Sequence, residues 1–211
     1  SVLSLTYKRY HDLVQAEANA RESKIEAGLE RVRSRTMAMQ QSDELAETAS
    51  VLFRQLILMG IEPNRLYITI IKDDSGEADF WITDEDGSKV STGYTANLNN
   101  NESFMKMYNG WKENKSSLVI DMHGEVLKNY FKYLSSLNVP FKGGLKQQRR
   151  IQYIAYFNKG FIGMATPDEQ PQESIALLER FAAVFNLSFT RFNDLHIEES
   201  HAVHARKALI D

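Results

Sequence analysis

A segment near the start of this chain returns near its end, and this repeat constrains the fold more than any other feature. Ser1–Leu13 reads SVLSLTYKRYHDL and Ala183–Leu195 reads AVFNLSFTRFNDL, at a constant offset of 182 residues between Tyr7 and Phe189. A period this long exceeds a solenoid unit and fits a domain-sized module with the same connecting helix on each side. Chance similarity between two amphipathic helices is the alternative.

The first forty residues are predicted to form one long helix, because they contain no proline and only one glycine, Gly28. Apolar residues recur at heptad spacing in two runs, which a four-residue stutter separates between Val14 and Ile25. The other faces are highly charged, so this narrow stripe needs a partner surface. A second copy of the helix is one such partner, and packing on the chain's own domain is the alternative. The predicted dimer seam is Leu3, Tyr7, Tyr10, Val14, Ile25, Leu29, Val32 and Met39.

After this helix the hydrophobic pattern changes from a helical period to alternation. A second helix is predicted to begin near Ser42, with Ser42 and Asp43 in its first turn, and to end at Gly60. The later predicted elements are strands at 65–74, 77–87 and 89–95, a helix at 103–114, a strand at 116–122, a helix at 124–137, a hairpin at 150–166 and a helix from 173. Several strands are adjacent hairpins, so we expect a mainly antiparallel sheet with helices on its faces.

Composition narrows the functional classes. A net charge of −3 provides no basic excess to neutralise phosphates, which argues against general nucleic-acid binding. The absence of cysteine excludes disulfides, thiolate metal sites and thioether-linked chromophores, and it fits a reducing, cytoplasmic compartment. No apolar run approaches the length of a membrane span, so we predict no membrane contact for these residues.

Catalytic and metal motifs are not found in the sequence, which predicts a non-enzymatic chain. No nucleophile–base pair, metal cluster or phosphate-binding loop can be assembled from it. His201 and His204 stand three residues apart, but we interpret them as solvated rather than as metal ligands. We also interpret a short basic loop as solvated rather than as an anion site. The basic residues of this loop are Lys142, Lys146, Arg149 and Arg150.

Four segments carry a resemblance to a known family: Glu22–Ile61, Met107–Leu134, Ala155–Pro167 and Arg180–Leu195. With the order of elements, they resemble the GAF domain, in the divergent form found in bacterial multidomain sensor histidine kinases and related signalling proteins. The most specific match is the connector ERVRSRTMAM, and the resemblance covers essentially the whole chain.

This resemblance implies an α+β, GAF-like member of the PAS/GAF superfold, with a six-stranded, mainly antiparallel sheet, helices on both faces and long terminal connector helices. It implies a coiled-coil connector at 1–40, a GAF-like domain at 41–182 and a C-terminal connector helix at 183–211 that continues toward an output domain. The chain would then begin on the tail of a preceding unit and leave on its own equivalent tail, which would explain the terminal repeat.

The resemblance also implies a function: a non-catalytic sensory module of a two-component signal-transduction protein that forms a homodimer through its terminal helices. A small-molecule ligand is expected in a cavity shaped by the middle segments, and its identity stays open. The alternative is a ligand-free dimerisation scaffold with the same fold. Aromatic side chains with a polar group line pockets well, and ordinary core packing is the other interpretation. The pocket candidates are Trp81, Tyr94, Phe104, Met105, Tyr108 and Trp111.

Overall fold

A computed structural model of the chain describes residues 2–40, 44–61, 65–72, 75–83, 90–141 and 146–207. Ser42 and Asp43, the predicted capping residues of the second helix, lie outside these ranges. The described helices are α1 (Val2–Met37), α2 (Leu45–Leu58), α3 (Glu102–Lys112), α4 (Gly124–Ser136) and α5 (Gln172–Lys207). The described strands are β1 (Arg65–Ile71), β2 (Glu77–Thr83), β3 (Val90–Asn97), β4 (Ser117–His123), β5 (Arg149–Phe157) and β6 (Gly160–Thr166).

The six strands form one sheet in the order β3-β2-β1-β6-β5-β4, and every neighbouring pair is antiparallel. The prediction of an α+β fold with a six-stranded antiparallel sheet is therefore confirmed. The first three strands form one half of the sheet and the last three form the other. Pairing of β1 with β6 joins the two halves at the centre, so the sheet is continuous through this one pair of strands.

Strand alternation divides the interior into two cores, one on each face of the sheet. The outer core packs α1, α2 and α5 on one face, and its fully buried side chains include Leu52, Phe181 and Phe185. The inner core packs α3 and α4 on the opposite face, around Phe104 and Phe161. Neighbours along a strand consequently belong to different cores, which decides which side chains can meet.

The second half of α1 belongs to the outer core. Leu29 and Val32 of α1, and Met39 just after its end at Met37, are 4%, 0% and 5% exposed, and all three pack in the outer core. This placement corrects the interpretation of these residues as part of a seam between two copies. The heptad pattern is the same in both cases, but α2 and α5 provide the apolar partner within one chain. Ile25 is half-buried at the edge of the same core.

The two copies of the terminal repeat have different surroundings. In the second copy, Phe185 and Phe189 are 0% and 6% exposed, and both rings contact Phe157 of β5. Their counterparts in the first copy, Leu3 and Tyr7, are 83% and 71% exposed. Helix α5 runs unbroken from Gln172, so the predicted domain boundary at residue 183 lies inside a helix. One face of residues 185–189 in the second copy is therefore part of the domain core, whereas the equivalent residues 3–7 of the first copy are exposed.

Ion pairs join α1 to its neighbouring helix, α5. The Arg180 guanidinium donates to Glu22 and Glu26, each at 2.6 Å, and thereby joins α5 to α1. The hydrogen bond from Arg180 lowers the pKa of the Glu22 carboxyl below its ordinary value. These groups are largely exposed, so they orient the helices more than they stabilise them.

In the described part of the chain, no helix is both long enough and apolar enough to cross a membrane.

Candidate functional site

A small cavity lies between the inner face of the sheet and the helices α3 and α4, and we call it the inner cavity. The free space in it is about 10 Å³, which is room for at most one water molecule. The sheet contributes its floor and the two helices its roof. The lining residues are Arg65, Tyr67, Phe80, Ile82, Tyr94, Phe104, Met107, Tyr130, Leu134 and Arg150.

Aromatic rings fill most of the inner cavity. Phe80 stacks on Tyr94 with 4.8 Å between ring centroids, and Phe104 stacks on Tyr130 at 5.7 Å. Stacked and edge-on pairs of this kind contribute about 0.5–1.5 kcal/mol each beyond the area they bury. In this conformation, the walls of the cavity are therefore held together by their own rings.

A short chain of hydrogen bonds joins the floor of the cavity to Tyr130 in its roof. The Tyr67 hydroxyl donates to Oε1 of Gln152 at 2.9 Å, and Nε2 of Gln152 donates to the Tyr130 hydroxyl oxygen at 3.0 Å. Tyr67 of β1 reaches β5 by lying across β6 at Gly163, where any side chain would overlap its ring. The glycine at 163 therefore makes this bond between non-adjacent strands geometrically possible.

Two arginines are buried at the same cavity. Arg150 is 4% exposed, its guanidinium lies 5.7 Å from the centroid of the Phe131 ring, and its Nη1 donates to Oε1 of Gln147 at 3.2 Å. Its Nε has no hydrogen-bond partner among the described residues. Arg65 is 6% exposed, and its Nη2 donates to the carbonyl oxygen of Pro140 at 2.6 Å. The cavity is thus apolar in its walls and cationic at one part of its floor.

The structure corrects the interpretation of the basic loop. Arg149 and Arg150 lie in β5, and their side chains point to opposite faces of the sheet. Arg149 is partly exposed and pairs with Asp121 at 2.7 Å and Glu169 at 2.8 Å, as predicted for a solvated residue. Arg150 is buried instead. Lys142 lies outside the described residues.

Burial also raises the pKa values of two tyrosine hydroxyls at the cavity. Desolvation raises the pKa of Tyr67 and of Tyr94 well above the ordinary tyrosine value, and the positive charge of Arg150 opposes this rise at both groups. Both hydroxyls therefore remain protonated throughout the physiological pH range. They can act as hydrogen-bond donors but not as bases.

The six pocket candidates from the sequence do not form one site. Tyr94 and Phe104 line the inner cavity. Trp81 packs against the outer core on the opposite face of the sheet, and Met105 is 41% exposed. The remaining two candidates are near each other but outside the cavity. Tyr108 is buried in the inner core and stacks at 5.8 Å on Trp111, which lines an open surface groove.

The sequence interpretation missed the polar residues of the cavity. Arg65 and Tyr67 lie in the mainly apolar strand RLYITII, and Arg150 and Gln152 lie in RRIQYIAYF. A polar residue in the inward phase of a buried strand was the available signal, because such a residue must find a partner inside. Tyr130 could not be distinguished in this way, since aromatic residues are common on the apolar face of a helix.

A second candidate surface is the exposed apolar stripe on the first turns of α1, which we define as Leu3, Tyr7, Tyr10 and Val14. These residues are 83%, 71%, 68% and 46% exposed. They follow one another at steps of 4, 3 and 4, so they lie along a single face of the helix. Four large apolar side chains on one protruding helix favour contact with another surface.

Comparisons with known proteins do not identify a relative. No known protein family matches the chain, and no curated protein matches it significantly. Among the described residues, no group of three or more His, Asp or Glu side chains could hold a metal ion. The inner cavity and the apolar stripe are therefore the two candidate functional sites considered among the described residues.

Replacing Gln152 by Leu should destabilise the fold by about 1–3 kcal/mol, because it leaves two buried tyrosine hydroxyls without their partner. Adding Tyr67→Phe should recover part of this loss, since the double variant no longer buries an unpaired Tyr67 hydroxyl. Urea unfolding of both single variants and the double variant measures the coupling. Strictly additive losses would contradict the hydrogen bond between Tyr67 and Gln152.

Proposed function

We propose that this chain is a non-catalytic regulatory module of the GAF type in a signalling protein such as a sensor histidine kinase, and that it forms a homodimer through the apolar stripe. The observation that carries the proposal is the stripe itself. It presents an exposed heptad pattern on a helix whose continuation is buried in the domain core.

The occupant of the stripe is proposed to be a second copy because the pattern is self-complementary. Leu3, Tyr7, Tyr10 and Val14 take alternating core positions of a heptad, which two identical helices bury against each other. Lys8, Arg9 and Asp12 lie on the remaining faces and keep them soluble. The stripe covers less than two heptads, so a reversible dimer is expected rather than a permanent one.

Continuity of α1 supports a regulatory role. The stripe and the buried residues Leu29 and Val32 belong to one helix from Val2 to Met37, without a proline and without a described break. A rotation or shift of the helix at the dimer contact would therefore change its packing on the outer core. Such a helix can connect two arrangements of a dimer to the state of the sheet domain.

Sedimentation of a matched pair of variants tests the dimer. Tyr7→Glu places a charge in the stripe and should raise the dimer dissociation constant at least about tenfold. Gln15→Glu introduces the same group on the same exposed helix but outside the stripe, and it should leave the constant unchanged. A wild-type chain that remains monomeric up to about 100 µM, or equal effects of both substitutions, would contradict the proposal.

A ligand-free scaffold with the same fold is the second candidate function. The observation that favours it is the free space of about 10 Å³ in the inner cavity, which holds no small organic molecule without movement of its walls. Both candidates share the dimer and differ only in whether the cavity opens for a ligand.

A further inference from the structure

We propose that the inner cavity opens to bind a small organic monocarboxylate, with the carboxylate on Arg150 and the apolar body between the aromatic walls. This inference depends on the proposed sensory function, in that a sensory module needs a ligand, but its chemistry comes from the cavity. It makes this chain a carboxylate-responsive module.

The cavity has hydrogen-bond donors without matching acceptors. Nε of Arg150 has no acceptor among the described residues. Tyr94 and Tyr130 belong to the same lining, and each carries a hydroxyl that can donate a hydrogen bond. Arg65, whose Nη2 donates to the carbonyl oxygen of Pro140, adds a second guanidinium to the same lining. Among the described residues, the lining contains no Asp or Glu. A set of donors and positive charges without an acid is complementary to an anion.

The positive charge of Arg150 is not balanced inside the described part of the cavity. Among the described residues, it contacts the neutral amide of Gln147 and the face of the Phe131 ring. Burying a cation without a paired anion is costly, and supplying the anion recovers much of that cost. A carboxylate would also make a stronger, charge-assisted bond than the amide oxygen that it displaces.

The walls select the rest of the ligand. Phe80, Tyr94, Phe104 and Tyr130 present aromatic faces, which favour a flat or small apolar body. The free space of about 10 Å³ means that such a body enters only if roof side chains move. Met107 of α3 and Leu134 of α4 are the aliphatic roof residues, and their side chains pack in the inner core. Binding would therefore shift the two inner helices, which links the ligand to the conformation of the domain.

The test uses the wild-type chain with benzoate and propionate at neutral pH. Benzamide, a neutral compound of nearly the same shape as benzoate, and inorganic phosphate serve as comparison probes. At a concentration about ten times its dissociation constant, a carboxylate should raise the melting temperature by about 3 °C. Calorimetry should give saturable binding at one site, whereas benzamide and phosphate should bind at least about tenfold more weakly.

Neighbouring arginines provide the matched variants. Arg150→Met should abolish carboxylate binding, while Arg149→Met removes the same charge on the opposite face of the sheet and should leave binding unchanged. If Arg150→Met does not fold, Tyr94→Phe removes one donor from a partly exposed strand and should weaken binding several-fold. Absence of binding by both carboxylates, equal binding of benzamide, or equal loss in both arginine variants would overturn the inference. The oligomeric state, measured in the same samples, tests the proposed dimer separately.

Discussion

The Val32→Glu variant should lose most of its folding stability, about 3–5 kcal/mol, because it buries an acidic side chain without a cationic partner. Val32 is 0% exposed and lies in the outer core, where α1 packs against α2 and α5. Domains of this kind have only about 5–15 kcal/mol in total, so the variant should be partly unfolded at 37 °C. Urea unfolding followed by circular dichroism measures the loss.

The matched control is Val14→Glu, which makes the same substitution on the same helix at a side chain that is 46% exposed. At concentrations where the chain is monomeric, it should change the unfolding free energy by no more than about 0.5 kcal/mol. It should also weaken self-association, since Val14 belongs to the apolar stripe. If Val32→Glu weakened only self-association and kept the wild-type unfolding midpoint, the placement of Val32 in the outer core would be wrong.

The Gly160→Ala variant should be destabilised by about 3 kcal/mol or more, through both steric overlap and backbone strain. Gly160 begins β6 with a φ of +156° and pairs with Ile70 on one side and Phe157 on the other. A Cβ there would overlap the carbonyl oxygen of Thr69 and lie 3.2 Å from Cα of Ile70. Both obstacles are backbone atoms of β1, so the side chain could be accommodated only if β1 and β6 separate.

The Gly60→Ala variant is the control, because it introduces backbone strain without steric overlap. Gly60 has a φ of +90°, and a Cβ there would meet no atom within 4 Å. The expected loss is about 1–2 kcal/mol, the cost of a left-handed conformation for an L-residue. Thermal unfolding of both variants gives the comparison. Equal losses would mean that the contact between β6 and β1 at Gly160 is looser than described.

The pairing of β1 with β6 and the packing of the outer core hold the two candidate sites in position. The central pairing of β1 with β6 holds Tyr67 over Gly163 and so positions the floor of the inner cavity. The outer core holds the second half of α1 and so directs the apolar stripe away from the domain. A variant that loosens either contact should therefore change ligand binding or self-association indirectly, by changing the fold. The free energy of unfolding must then be measured together with ligand binding and self-association.

Much of the fold followed from local patterns in the sequence. The alternation in RLYITII and RIQYIAYF predicted strands, and the helical spacing of Phe104, Met107 and Tyr108 predicted α3, because each period is a property of consecutive residues. The inner cavity was not predictable in the same way. Tyr67 and Gln152 are 85 residues apart and meet only because β6 pairs between their strands.

The terminal repeat shows the difference between what residue periodicity predicts and what depends on tertiary packing. The spacing of apolar residues is enough to predict that residues 1–13 and 183–195 are both helical and amphipathic. It does not predict that Phe185 and Phe189 are buried against β5 whereas Leu3 and Tyr7 are exposed. Periodicity depends on neighbours along the chain, but burial depends on which surface lies opposite in space.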